Sequence, residues 1–351
     1  MSQKLNVAVI FGGASSEYEV SCKSAANVIS ILDSNKYNVY KLGVTKEGRW
    51  LLTTASTGDI RVDNWQEGAL PAIISPDSNT HGILCQNVAV RIDVAFPIIH
   101  GKNGEDGAIA ALLQLAGIPQ VTTTMTSAAN GMDKVLTHII CEAAGVPMAK
   151  YRYCYAHECM ADVNKVANDL EAYFGYPVFV KPSSAGSSVG VNKATDRASL
   201  VAALSEAAKH DFKILVEENI TGVEVEAAVI GNFNPRCDVC GQVIAADEFY
   251  TYDAKYNNAE SKVVIPALVS KDCQKRVCEL ALKVYRALEC QGLSRVDFFV
   301  TKDERVIFNE INTTPGFTDI SMYPKMMAYN GLEGYALADE LIALALSEDR
   351  I

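Results

Sequence analysis

The sequence predicts an α/β fold of several domains that opens with an open parallel sheet, and three observations carry this. Leu5–Ile10 is a short apolar run ending in Phe11-Gly12-Gly13, after which Ser24, Ala25, Val28, Ile29 and Leu32 recur at helical spacing. Two further apolar, β-rich runs follow, Val39–Val44 and Ile92–Ile99, and the second leads into a helical pattern over 107–116; this is the alternation of βα units in a parallel sheet. The 351 residues exceed a single domain at the usual ~100–200 residues each.

From about 123 the pattern changes. Val135, Leu136, Ile139, Ile140 and Ala143 mark a helix, followed by alternating elements up to Tyr176-Pro-Val-Phe-Val-Lys181. Strands predominate at 213–218, 223–231 and 240–249, before a polar stretch, 250–262, and a long helix over 272–290 with Val277, Leu280, Ala281, Val284 and Leu288 on one face. Boundaries near 122 and 216 divide the chain into 1–122, 123–216 and 217–351.

Hydrophobic residues make up 49% and charged residues 21%, the composition of an ordinary globular protein rather than a disordered or fibrous one. Lys plus Arg is 31 against 42 Asp plus Glu, which argues against nucleic acid or an anionic membrane as partner and leaves small molecules, with room for a local basic pocket. No window reaches the ~18 apolar residues of a membrane span and no basic-then-apolar leader precedes Leu5, so a cytoplasmic protein is expected. The ten cysteines are dispersed and read as reduced, packed thiols. Cys237-x-x-Cys240 has the spacing of a zinc or redox pair, but only the loose Cys154, His157, Cys159 cluster offers the further ligands a closed site needs. Strand-end thiols are the expected alternative.

Ligands of open α/β sheets sit at the carboxyl ends of the strands, and those ends carry Gly12-Gly-Ala-Ser-Ser-Glu17 and His100-Gly-Lys-Asn-Gly-Glu-Asp-Gly107. The most informative segments are Leu293–Val300 and Arg305–Asn312, two strand-like runs that can form a hairpin. If the connection closes around Asp303-Glu304, Asp297 lies across from Glu310 and Arg295 across from Asn312. Opposed carboxylates repel and call for a cation; an oxygen-only set of Asp, Glu and Asn suits Mg²⁺ or Mn²⁺. A solvent-facing strand with routine charges is the alternative. Val180-Lys-Pro-Ser-Ser-Ala-Gly-Ser-Ser-Val-Gly190 runs from a strand into a small-residue loop, which either cradles phosphate or is a plain linker. Phe249–Asn258 is aromatic and polar and reads as an active-site lid or as an exposed loop. His100 is either a site residue or a structural cap.

With these segments in order, the chain resembles the D-alanine:D-alanine ligase family of ATP-grasp enzymes over essentially its whole length. The resemblance rests on Phe11–Ser21, His100–Gly107, Met132-Asp-Lys134, Val180–Gly190, residues 249–256, Ser294-Arg-Val-Asp297, and Asn309-Glu-Ile-Asn-Thr-Thr-Pro-Gly316 continuing to Pro324. It implies an ATP-grasp fold of three domains, with ATP gripped between the central and C-terminal ones and a lid at about 246–264. Lys134 and Lys181 would neutralise the phosphates, Ser187 and Ser188 would cover them, and Glu217, Glu218 and Glu224 would line the adenine and ribose side. Asp297, Glu310 and Asn312 would hold two Mg²⁺ ions, with Mn²⁺ able to substitute. Glu17 would engage the ammonium of the first D-alanine, linked to Ser187 and Tyr256 by hydrogen bonds. Arg295 and the backbone N–H of Gly316 would stabilise oxyanion charge. Lys255 and Ser321 would hold lid or second-substrate groups, and the substrate-binding set extends to Val20, His100 and Met322.

The implied chemistry has two steps: the carboxylate of D-alanine attacks the γ-phosphorus of ATP, and the amine of a second D-amino acid then displaces phosphate from the acyl phosphate. The product would serve peptidoglycan synthesis, and the resemblance alone implies a homodimer. Tyr18, within Ser16-Glu-Tyr-Glu-Val-Ser21, is similar to vancomycin-resistance ligases making D-alanyl-D-serine, which is the close alternative; Lys255-Tyr256 disfavours a D-lactate product. Thr122-Thr-Thr124 departs from the family pattern and implies an altered domain hinge. A non-catalytic sensor on the same fold is the reading from a different class, and the joint presence of Arg295, Asp297, Glu310 and Asn312 argues against it.

Overall fold

The computed structural model describes residues 3–187, 189–244 and 262–348. Its first layer is a seven-stranded sheet formed by β1 (Leu5–Gly12), β2 (Tyr37–Val44), β3 (Trp50–Thr53), β4 (Leu70–Ile74), β5 (Gly82–Cys85), β6 (Val88–Arg91) and β7 (Val94–Pro97), in the order β6-β5-β4-β3-β2-β1-β7. The expected parallel sheet is its β7-β1-β2 edge, with α1 (Tyr18–Ser30) following β1 and a short α2 (Thr57–Arg61) following β3. From β2 outward the pairing turns antiparallel, so the sheet as a whole is mixed. The sequence reading did not foresee β3 to β6. These strands are four or five residues long, and the β5–β6 turn uses Gln86 and Asn87, both with positive φ, in place of the Asn-Gly type of pair that marks such a turn in sequence.

The second sheet is antiparallel, in the order β10-β9-β11-β8, from β8 (Tyr151–Tyr155), β9 (Val178–Pro182), β10 (Asn192–Ala194) and β11 (Lys213–Glu218). Helices α6 (Ala156–Glu171) and α7 (Arg197–Ala207) cover one face, burying Val178, Val180, Leu200, Leu204, Ile214 and Val216. Between β7 and β8 in the chain come α3 (Ala108–Leu115), α4 (Met125–Met132) and α5 (Lys134–Ala143). Asp133 caps α5 by accepting from the backbone N–H groups of Val135 and Leu136.

The third sheet is also antiparallel, in the order β14-β13-β12-β15-β16, from β12 (Val223–Ile230), β13 (Cys240–Ile244), β14 (Lys262–Val264), β15 (Leu293–Val300) and β16 (Val306–Asn312). The predicted amphipathic helix is α8 (Lys271–Ala287), whose Val277, Ala281 and Val284 are buried against Val225, Val296 and Phe298. Leu280 is only partly buried. Residues 262–264, inside the segment expected as a lid, are strand β14; the rest of that segment, 246–261, lies outside the described residues.

Two C-terminal helices, α9 (Met322–Tyr329) and α10 (Gly334–Leu346), fill the space between the first and third sheets. Val7 and Phe96 of the first sheet, Ala228 and Ile230 of the third, and Met326 and Leu341 of these helices form one continuous core. That shared apolar packing fixes the carboxyl ends of β1 and β7 over the third sheet. The Thr122–Thr124 run is tied to the third sheet as well: Thr122 Oγ1 lies 3.3 Å from Thr314 Oγ1, and Thr123 Oγ1 accepts from Gln291 N at 3.0 Å. No helix among the described residues is long and apolar enough to cross a membrane.

Candidate active site

The β15–β16 hairpin places Asp297 opposite Glu310 and Arg295 opposite Asn312, as the sequence predicts. The route differs from the expected one. The connection is five residues, 301–305, and Asn309 is an extra residue that shifts the register between the 297–310 and 298–308 pairs. The bulge compensates for the odd-numbered loop and returns both carboxylates to one face. On the other side of β15, Glu226 of β12 also stands opposite Asp297. Three carboxylates therefore form a row across three adjacent strands, Glu226, Asp297, Glu310.

Like charges directly opposed in a sheet destabilise it, and two cations meet this row. Arg295 donates to both oxygens of Asp297, from Nε at 2.8 Å and Nη2 at 2.7 Å, and its Nε lies 3.1 Å from Glu226 Oε2. Burial opposes the guanidinium charge, but Asp297 and Glu226 hold its pKa well above even the ordinary arginine value. Lys134 Nζ lies 3.4 Å from Glu310 Oε2 and donates to Ala185 O at 3.0 Å. Asn312 Nδ2 donates to Asp297 Oδ2 at 3.1 Å.

Facing this row, Glu17 sits at the N-cap of α1, 7% exposed, and accepts a hydrogen bond from Ser187 Oγ. A Cβ at Gly101 would fall 2.6 Å from Glu17 Oε2 and one at Gly186 2.7 Å from it. Both loops need glycine there to close around the carboxylate. His100 is buried, with Nδ1 3.6 Å from Glu105 and Nε2 3.2 Å from Ser24 Oγ. Burial disfavours its protonated form, but Glu105 and Glu17 outweigh this and raise its pKa above the ordinary value. Ser24 Oγ also accepts from Phe317 N, and Asn27 Nδ2 donates to Phe317 O at 2.8 Å, so α1 positions the loop after Gly316. That loop ends at Ser321, the N-cap of α9, whose Oγ accepts from Thr318 N at 2.9 Å.

A second ionic cluster lies beside the row. Lys181 Nζ pairs with Glu217 at 2.5 Å and donates to Asn309 Oδ1 at 3.2 Å, while His138 Nε2 meets the other Glu217 oxygen at 2.7 Å. Burial raises the pKa of Glu217, yet Lys181 and His138 reverse this and hold it far below the usual carboxylate range. Lys181 is raised: burial lowers its pKa, and Glu217 more than offsets that.

Of the residues singled out from sequence, Glu17, His100, Lys134, Ser187, Arg295, Glu310, Asn312, Gly316, Ser321 and Met322 line one cavity of ≈ 110 Å³. Asp297 lies directly behind Arg295. Lys181 and Glu217 lie beside the cavity, Glu218 accepts from Lys150 N at 2.8 Å at the end of β11, and Glu224 lies two residues before Glu226 on β12. Val20 is not among the residues lining the cavity; it is 4% exposed within α1, on the helix face it shares with Ser24 and Asn27. Ser188, Lys255 and Tyr256 lie outside the described residues. Glu226, Glu105, Asn309 and His138 are not singled out from sequence. Glu105 and Asn309 lie inside the His100–Gly107 and Asn309–Gly316 motifs, Glu226 has a period-two relation to Glu224 on a predicted strand, and His138 has no local signal.

Among the described residues, no group of three or more His, Cys, Asp and Glu is arranged to hold a metal by itself. A divalent cation here would take Asp297 and Glu310 carboxylates with the Asn312 amide oxygen, an oxygen-only set that needs further ligands from a substrate. The two motifs read as a possible zinc site do not meet: Cys154 and Cys159 belong to the second sheet layer and Cys240 to the third, and all ten cysteines are free. The arrangement can neutralise a polyphosphate, anchor an ammonium at Glu17, and offer Arg295 to a developing oxyanion.

Two antiparallel sheets contributing lysines and an acidic row to one cleft, over an N-terminal α/β layer, define an ATP-grasp enzyme. The chain belongs to the D-alanine:D-alanine ligase family: residues 6–123 match the family described as D-ala D-ala ligase N-terminus and residues 140–343 the one described as D-ala D-ala ligase C-terminus. D-alanine--D-alanine ligase of Ruminiclostridium cellulolyticum is 46% identical, the match covering 98% of this chain and 96% of the relative, and that of Caldicellulosiruptor bescii is 42% identical over 99% and 96%. Among solved structures, VanG D-Ala:D-Ser ligase from Enterococcus faecalis superposes with a TM-score of 0.88 at 36% identity, covering 98% of this chain and 100% of that one. The D-alanine-D-alanine ligase from Coxiella burnetii gives 0.84 at 31%, covering 99% and 96%.

Proposed function

We propose that this protein is an ATP-dependent ligase that joins two D-alanines through a D-alanyl phosphate, supplying the dipeptide for peptidoglycan precursors. The observation that carries this reading is the acidic row Glu226, Asp297, Glu310, countered by Arg295 and Lys134 and facing Glu17 and Ser187 in one cavity. A sensor that only bound ligand would have no need of so strained an electrostatic arrangement. Asp297, Glu310 and Asn312 would hold Mg²⁺, two ions with Mn²⁺ able to substitute, and their oxygen-only donor set fits these hard cations. Bound there, the metal would neutralise phosphoryl charge.

The chain's own groups account for the rest. Glu17, held by Ser187, binds the ammonium of the first D-alanine and directs its carboxylate toward the row. Lys134 and Lys181 draw phosphate charge, Lys181 being kept protonated and oriented by Glu217, which thus acts through the lysine. A carboxylate oxygen attacks the γ-phosphorus and ADP leaves. The amine of the second D-alanine attacks the acyl carbon, and Arg295 with the Gly316 N–H takes up the oxyanion charge. Phosphate departs and can accept the amine proton. Ser188, Lys255 and Tyr256 complete the cover over the phosphates and substrate, excluding water that would hydrolyse the acyl phosphate. Glu218 and Glu224 serve the nucleoside side, and His100, Ser321, Met322 and Val20 the second substrate, Val20 from behind through α1.

Isotope transfer tests this chemistry. D-alanine labelled with ¹⁸O in its carboxylate should give inorganic phosphate carrying one labelled oxygen; phosphate free of label would overturn the acyl-phosphate route. The second reading is D-serine as second substrate, favoured by the fit to VanG D-Ala:D-Ser ligase. The products differ by one hydroxyl, which an apolar pocket rejects by only ~10²-fold.

Three domains are part of the same reading, with divisions near 122 and 216. The protein is taken to act in the cytoplasm as a homodimer. A single species at twice the chain mass in light scattering is the expected result; a monomer that turns over would remove the dimer.

A further inference from the structure

Outside the active site lies a pair of thiols that no step above uses. Cys154 is the one buried residue of β8, the edge strand of the second sheet, and Cys159 lies in the first turn of α6, which begins at Ala156. The tight passage from strand to helix turns both side chains to the same side, and their Sγ atoms are 3.8 Å apart. Both residues are under a tenth exposed, packed beside Leu170, Val178 and Ile214. We infer that Cys154 and Cys159 are a redox modification site, a dithiol that a small peroxide converts to a reversible disulfide.

The contact between the two thiols assigns the roles. The thiol of Cys154, directed at Cys159, lowers the Cys159 pKa while its own is raised. Cys159 is therefore the attacking sulfur. Its thiolate attacks one oxygen of hydrogen peroxide; the S–O bond forms, the O–O bond breaks, and hydroxide leaves to be protonated as water. Cys154 then loses its proton and attacks the sulfenic sulfur; the S–S bond forms, the S–O bond breaks, and a second water leaves. Two thiols and one peroxide give one disulfide and two waters. A dithiol reductant reverses the change by exchange.

Burial and the Glu158 carboxylate work against the Cys159 thiolate without reversing this shift; Glu158 is itself engaged by Tyr155 N at 2.7 Å, and the His157 ring stacks on Tyr155. The inference stands independently of the ligase reading, because it concerns a different layer of the fold.

The test uses the full chain. Wild-type protein is exposed to hydrogen peroxide, remaining thiols are alkylated, and peptides are mapped by mass. The expected result is a peptide containing 154–159 that is about 2 Da lighter and unalkylated, restored to two alkylated cysteines by dithiothreitol. In C154S, which removes only the resolving sulfur, Cys159 should instead be captured by dimedone as a sulfenic acid. Oxidation confined to other cysteines, with 154 and 159 both alkylated in the wild type, overturns the proposal. So does a C154S protein that carries dimedone elsewhere and not on Cys159. The wild-type map stands even if the variant does not fold.

Discussion

Removing Arg295 probes the acidic row most deeply. Arg295→Ala deletes two hydrogen bonds on Asp297 and one contact to Glu226 from a side chain only 17% exposed. Glu226 and Asp297, directly opposite on neighbouring strands, would then face each other about 5 Å apart. At an effective dielectric near 20 that repulsion is about 3 kcal/mol, in line with the ~3–5 kcal/mol lost when one partner of a buried ion pair is removed. The row can relieve the strain by binding a proton. In the variant one carboxylate then has a raised folded pKa, so the folded state binds more protons than the unfolded one and stability rises as pH falls. Three results are expected: a lower Tm at pH 7.5, a gap to wild type that narrows toward pH 5, and a larger gain in Tm on adding Mg²⁺ than in wild type, because Arg295 no longer competes for Asp297. Turnover should drop by ~10²–10³ in kcat, as for the loss of one oxyanion donor. Thermal unfolding across pH with and without Mg²⁺, beside phosphate release, reads all of these. A variant with wild-type Tm and the same Mg²⁺ response would refute the electrostatic account of the row.

Other perturbations have equally definite outcomes. Asp297→Asn should raise the Mg²⁺ concentration needed for half-maximal activity, and excess Mg²⁺ should recover part of the rate; no change in Mg²⁺ demand would remove Asp297 from the cation site. Glu217→Gln leaves Lys181 and His138 without their shared carboxylate, so KM for ATP should rise and Tm should fall. The wild-type Glu217 pKa is depressed below 4.5; its contribution is fully present above that pH and is lost as pH falls through the folded value. The acid limb of the stability curve should therefore be shallower in Glu217→Gln. Gly186→Ala would bring a methyl to 2.7 Å from Glu17 Oε2. Displacing this anchor should raise KM for the first D-alanine on the order of 10-fold or more, with an unchanged circular dichroism spectrum; an unchanged KM would show that Glu17 does not hold that substrate.

What the sequence could show follows from the range of the interactions involved. Helix α8 was legible because Val277, Leu280, Ala281 and Val284 recur on one face within its own length, with Leu288 at its C-cap. The β7-β1-β2 edge was legible because β1 and β2 are eight-residue strands and β7, though only four residues, is wholly buried inside the Ile92–Ile99 apolar run, whereas β3 to β6 are short and partly exposed and carry too little local pattern. The 297–310 opposition came out correctly from two offsetting departures, a five-residue connection and the Asn309 bulge, neither of which composition reveals. Glu226 joins the row only through β12–β15 pairing across some seventy residues of chain, and period-two spacing cannot say which strands become neighbours. His138 reaches Glu217 in the same nonlocal way.

The measurement that bears most directly on the central claim is product identification by mass after incubating the protein with ATP, Mg²⁺ and an equimolar mixture of D-alanine and D-serine at neutral pH. The account predicts ADP, phosphate and predominantly D-alanyl-D-alanine. Predominant D-alanyl-D-serine would keep the mechanism and change the second substrate, while no dipeptide and no phosphate with any D-amino acid would contradict the assignment of this site as a ligase.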